Sequence, residues 1–177
     1  MNTSSADPGY MQAMQQDNDH LSVQSLIDHY ASGISRLAQA MEGITQDQAR
    51  LRPIPGKWSV LELVAHLAGT ELFFTDRMER VIALDKPLLP GVDERDYPDR
   101  IGYQDLLLSE ELALFSALRT HMLRVLRRQP TQAWRRVAIH TETGLVTLRQ
   151  LLLQPVRHFD HHLVFLLEKR KALGLPN

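Results

Sequence analysis

The sequence predicts an all-α protein, a four-helix bundle, and three observations carry that prediction. Four long stretches place apolar residues at alternating steps of three and four, the signature of a helix with one buried face. Two of them open with capping-box patterns, Ser59-Val60-Leu61-Glu62 and Thr147-Leu148-Arg149-Gln150. No convincing run alternates with the period of two expected of a half-buried strand.

Residues 1–20 are polar and aperiodic and read as a mobile tail, leaving 21–177 as one domain. Helix one follows Ser22, a plausible N-cap, with Val23, Ile27, Tyr30, Ile34, Leu37 and Met41 on its apolar stripe and Gly43 as its stop. His29 falls on the polar face. A connector over 44–58 holds Pro53, Pro55 and Gly56, with one helical turn expected at Gln46 to Arg50. Helix two runs from the Ser59 cap to about Leu84, with Trp58 placed to staple against Leu63. Residues 85–102 then hold three prolines and two glycines without a helical period. Eighteen residues can run the length of a bundle, so helices two and three are expected as parallel neighbours rather than a hairpin. Helix three, Tyr103 to Arg128, carries Leu107, Leu114, Leu118 and Val125 on one stripe and Leu108, Leu112, Phe115, Met122 and Leu126 beside it. Val137-Ala138-Ile139 reads as a short extended strand, and helix four runs from the Thr147 cap to about Leu173, with Gly174 as its stop.

Composition narrows the function. The net charge of −1 gives no basic field for nucleic acid or an anionic membrane surface. No apolar run approaches the ~18 residues of a membrane span, and the N-terminus lacks a signal-peptide pattern, so a cytoplasmic protein is expected. With no cysteine, any metal must be held by histidine and carboxylate.

Histidine supplies the candidates. His158 and His162 are spaced by four, on the inward stripe Leu151, Pro155, His158, His162 and Phe165, whereas His161 shares its line with Gln154, Arg157 and Glu168. Two buried imidazoles one turn apart need hydrogen bonds or a metal. His66, with Leu63, Thr70 and Phe73 on a mostly apolar line of helix two, is the third candidate ligand. Glu62 is a helix cap in the plain reading and a general base or a hydrogen-bond acceptor behind a ligand in the sharper one. His121, on a core stripe, and His140, in a loop, are weaker candidates. The test is geometric: the three donor nitrogens must come within about 3 to 4 Å of one another.

Gly56-Lys57-Trp58-Ser59-Val60, then Glu62 and His66-Leu67, then His158-x-x-His161-His162, with Trp134, His140, Gly144 and Thr147-Leu148 between, resemble the DinB/YfiT-like family of small metalloproteins over about Leu21 to Leu173. The resemblance implies an up-down-down-up bundle and a divalent metal, zinc first and otherwise nickel, iron or manganese, on His66, His158 and His162. It also implies thiol-dependent chemistry, in which a low-molecular-weight thiol such as bacillithiol or mycothiol is transferred to a small electrophile or its adduct isomerised. Other members are named hydrolases. Phe165 stands where many relatives have Gln, and Pro155 should kink helix four just before His158.

The leading expectation is therefore a metal-dependent thiol transferase acting on a small molecule. In it Asp93, Glu94, Asp96 and Tyr97 form a pocket rim, Arg77 and Arg157 are available to an anionic thiol, and the chain pairs as a homodimer. The alternatives are a metal-dependent hydrolase, a non-catalytic metal- or ligand-binding bundle, and a bundle with structural histidines that docks a partner.

Overall fold

The computed structural model describes residues 21–176. Four helices form the bundle: α1 (Val23–Met41), α3 (Val60–Ala83), α4 (Leu108–Leu126) and α5 (Leu148–Ala172). A short α2 (Gln46–Arg50) precedes α3, and strands β1 (Leu88–Leu89), β2 (Val137–His140) and β3 (Gly144–Thr147) lie in the connections. The caps expected from sequence are in place. Ser22, Ser59 and Thr147 each accept a backbone N–H, and Glu62 and Gln150 complete their boxes by bonding back to the cap amides. Gly43 and Gly174 sit just past α1 and α5 at φ of 75° and 77°, where a side chain would be strained.

Two apolar clusters fill the bundle, and their order along each helix gives the topology. Along α1 the chain passes from the cluster holding Leu26, Ile27 and Tyr30 to the one holding Leu37, Ala40 and Met41. Along α3 and α4 it passes the other way, from Val60–Ala68 to Met78 and Val81, and from Leu108 and Phe115 to Met122 and Leu126. Along α5 it returns, Leu151 to Val156 and then Phe159 to Leu166. The result is up-down-down-up, with α3 and α4 parallel neighbours joined by the long crossover.

Between the clusters lies a polar layer built around Arg119, which is 1% exposed. Its guanidinium donates to Glu71 Oε2 of α3 at 2.9 Å, to the Tyr30 carbonyl of α1 at 3.1 Å and to the Pro155 carbonyl of α5 at 3.1 Å. One α4 side chain thereby ties the other three helices. The rings of Tyr30, Phe115 and Phe159 surround its Cζ at 4.5, 4.4 and 4.9 Å, and the Tyr30 hydroxyl donates to Glu71. Gly33 of α1 faces the guanidinium so closely that a Cβ there would overlap Nη1.

Some expectations need correction. The segment Val137-Ala138-Ile139 is a strand, but it belongs to a three-stranded sheet, β2 pairing antiparallel with β3 and parallel with β1. Strands of two to four residues are too short to show a period. The crossover contains a π-helical turn at Pro98–Gly102, and Tyr103–Asp105 form a 3-10 turn, so α4 begins at Leu108 rather than Tyr103. Of the two stripes proposed for that helix, the one through Leu108, Phe115, Met122 and Leu126 is buried, whereas Leu107 and Leu114 are exposed. Arg119 holds the inward position that an apolar residue would have marked. His121 accordingly points outward and pairs with Glu79 at 2.7 Å. The tail over residues 1–20 lies outside the described residues.

Replacing Arg119 with Met should leave the buried Glu71 carboxylate without its cationic partner, with only the Tyr30 hydroxyl still donating to it, and cost about 3–5 kcal/mol of stability. Urea denaturation measures this, and Gly33→Ala should destabilise in the same direction through overlap with the guanidinium.

Candidate metal centre

The centre is assembled from α3 and α5. The Ser59–Glu62 box fixes the start of α3, and His66 follows one turn after Glu62 on the inner face. On α5, His158 and His162 lie one turn apart, just beyond Pro155. Loss of the Pro155 N–H from the helical ladder weakens α5 at that turn, and the Arg119 bond to the Pro155 carbonyl holds it from the side.

The three rings converge. His66 Nε2 lies 3.1 Å from His158 Nε2 and 3.1 Å from His162 Nε2, and the residues are 3%, 4% and 8% exposed. One nitrogen of each lies within 4.8 Å of the others, and this is the group of ligand-type side chains that meets that condition among the described residues. Ring centroids are 5.0, 4.7 and 4.5 Å apart. Tetrahedral zinc, with bonds of about 2.0–2.1 Å, holds its nitrogens roughly 3.3 Å apart, so the observed spacing suits such an ion.

Electrostatics favours the same state. Burial pushes His66 down to about 4, helped by the charge of His161. Burial also holds His158 and His162 well below the ordinary histidine range, reinforced by neighbouring imidazoles, by Arg119 at His158 and by Lys169 at His162. All three are therefore neutral at pH 7, the form that ligates. A neutral imidazole with Nε2 turned inward carries its proton on Nδ1. The Nδ1 atoms of His66 and His162 are buried without a hydrogen-bond partner. Glu94 Oε2 stands 3.4 Å from His66 Nδ1, within ion-pair distance but short of a formed hydrogen bond.

The other sequence candidates separate cleanly. Glu62, 2% exposed, accepts from the Ser59 amide at 2.6 Å and from Arg52 Nε at 3.1 Å. Burial raises its pKa, but the Arg52 and Ser59 bonds outweigh this and leave it below the usual range. Of the acidic crossover, Glu94 reaches the centre, whereas Asp93 pairs with Arg95 and Asp96 with Arg100 in solvent. Tyr97 packs its ring 6.2 Å from Phe73. Arg77 donates to the Pro90 carbonyl at 2.9 Å and so braces the crossover. His140 is in β2 rather than a loop, where its Nδ1 accepts from the Glu142 amide at 3.3 Å, and it does not join the trio. Arg157 is half-buried, as is His161, with its ring 5.0 Å from Phe165. Lys169 escaped notice. It is 3% exposed, and only its place one turn beyond Phe165 on the histidine stripe could have flagged it.

These shifts fix a pH dependence for the metal-free protein. Histidine in the unfolded chain takes up a proton near pH 6.5, whereas folded His66 resists until about 4, so the unfolded state binds more protons between those values. Stability is then full above about pH 6.5 and falls as the pH drops toward 4, by on the order of 3 kcal/mol for His66 alone. Denaturation of chelator-treated protein across that range measures it, and a curve flat from pH 7 to 4.5 contradicts the neutral-imidazole assignment.

The comparisons agree with this architecture. Residues 29–166 match the model of the DinB superfamily. YfiT of Bacillus subtilis, provisionally named a metal-dependent hydrolase, is 26% identical over 141 residues, covering 79% of each chain. OB0782 of Oceanobacillus iheyensis, named in the same way, is 26% identical over 118 residues, covering 66% of this chain and 68% of its own. The solved structure of YfiT superposes with a TM-score of 0.79 at 24% identity, covering 88% of this chain and 91% of that one, and is described as an unusual four-helix bundle topology. The mycothiol-dependent maleylpyruvate isomerase gives a TM-score of 0.66 at 15% identity, with 81% of this chain matching 60% of that one. At such identities the two structures speak for the fold, and the family match over most of the chain speaks for descent: this protein belongs to the DinB superfamily.

Proposed function

We propose that the protein is a metal-dependent enzyme of hydrolytic type acting on a small molecule, with His66, His158 and His162 as the ligands of a divalent ion. The observation that carries this reading is the meeting of three buried Nε2 atoms, with His66 3.1 Å from each of the other two. Zinc suits an all-imidazole set, and nickel, iron or manganese would accept the same donors. When bound, such an ion supplies Lewis acidity and an open position at which water, or a thiol, becomes more acidic.

The protein's own groups prepare that position. Glu94 faces His66 Nδ1 and, by taking its proton in a hydrogen bond, would keep the Nε2 lone pair turned inward. Glu62 serves as the cap that sets α3 one turn ahead of His66, its oxygens committed to Ser59 and Arg52. The ring of Trp58, 5.2 Å from His66, and that of Phe165, 6.2 Å from His162, make an apolar wall that excludes water beside the ligands.

A thiol-transfer reading uses the same residues. It draws support from the isomerase that shares the fold, and from the absence of cysteine, which means that any thiol must arrive from outside. Ester and amide hydrolysis, set against conjugation of a small electrophile with a thiol, separates the two on metal-loaded protein. Purified protein should contain about one divalent ion per chain by elemental analysis. The His158→Ala/His162→Ala variant should lose it while keeping its helical circular dichroism, because the two apolar clusters do not depend on the ion. Metal-free native protein, or a variant that retains its ion, refutes the assignment.

A further inference from the structure

We propose that Lys169 is the receptor for a carboxylate on the substrate, which it holds beside the metal centre while the reacting end of the same molecule enters among the three imidazoles. The inference deepens the metal-dependent reading above and rests on it.

The stripe of α5 that carries the ligands continues past them: His158, His162, Phe165 and Lys169 follow at steps of four, three and four, on one face. Lys169 lies seven residues beyond His162, a helical rise of about 10 Å. Side chains on a helix lean toward its N-terminus, which directs the Lys169 stem back toward Phe165 and His162, and its charge is felt at the His162 ring.

Lys169 is 3% exposed, yet among the described residues no acceptor takes a hydrogen bond from its ammonium and no carboxylate forms an ion pair with it. Its neighbour makes the contrast. Arg170, 8% exposed, donates to the carbonyls of Ala40, Glu42 and Pro176. Its ammonium is not among the enclosed polar atoms left without a partner, so the buried stem presents a charge that still meets solvent and is available to a partner arriving from outside. Burial accordingly lowers the lysine pKa, with Lys57 acting in the same direction.

The charged groups around it define the ligand. Lys57 repels it, whereas Glu62 and Glu168 attract it. Glu62 is already held by Arg52 and Ser59, and Glu168 is exposed. With Glu62 and Glu168 already nearby, the site suits a singly charged carboxylate better than a phosphate dianion. A cation one turn beyond Phe165 on the face that carries the imidazoles also has the composition of a small-ligand site, apolar surface with a few placed polar groups.

The test uses full-length protein loaded with cobalt(II), whose visible absorption reports a ligand entering the centre. The probes are 3-mercaptopropionate and its neutral isostere 3-mercaptopropionamide. Wild type should bind the acid about tenfold more tightly than the amide, a difference typical of one charge-assisted hydrogen bond. Lys169→Met should reduce the acid to the level of the amide, with cobalt stoichiometry and amide affinity unchanged, and Lys169→Arg should keep most of the preference. Equal affinities in wild type overturn the proposal, as does a preference that survives in Lys169→Met. If the Met variant fails to fold, the wild-type comparison and the Arg variant still decide. Failure of wild type to bind cobalt at all overturns the metal reading itself, and this proposal with it.

Discussion

Desolvation is the constraint on which the rest of this structure depends. A four-helix bundle keeps its shape by excluding water, and among the described residues this one places four imidazoles, two guanidinium groups, two carboxylates and an ammonium where little water reaches. Each is tolerated on different terms. Arg119 and Glu71 remain within reach of each other and of backbone carbonyls, so their charges are matched on the spot. The three imidazoles of the candidate centre are tolerated by staying neutral, which is also the form able to ligate.

The apolar core is split in a way that serves this arrangement. Each long helix changes from one cluster to the other at a point marked by a residue of the polar layer: Gly33 on α1, Glu71 on α3, Arg119 on α4 and the Pro155–His158 turn on α5. Arg119 thus does two things at once. It joins the two halves of the core across four helices, and it holds the α5 backbone at the turn where Pro155 has removed a hydrogen bond. Positioning of the His158/His162 pair and cohesion of the bundle are therefore the same interaction seen from two sides. The crossover adds a second restraint, since its Glu94 approaches the outer nitrogen of His66.

Much of this was legible in the chain. The helix starts could be read because Ser59 with Glu62, and Thr147 with Gln150, satisfy orphan amides within three residues, an interaction local enough to leave a pattern. The inward direction of His158 and His162 followed from the helical period. The sheet was less visible because Leu88–Leu89 and Gly144–Thr147 are held by partners distant in sequence and are too short to advertise themselves. His121 was misplaced because Arg119 occupies an inward position where apolar periodicity predicts a leucine, which obscured the buried line of α4.

By itself the sequence determined the helices, their caps and the inward turn of His66, His158 and His162, because those depend on interactions within one or two turns of the backbone. Tertiary structure alone decided the rest: that His66 meets the α5 pair at 3.1 Å, that Arg119 is enclosed by three rings, that Glu62 is spent on Arg52 while Glu94 comes to the site, and that Lys169 is covered. Distances between helices are set by how four apolar faces close over one another, and no spacing within a single helix encodes the depth at which a neighbouring side chain comes to rest.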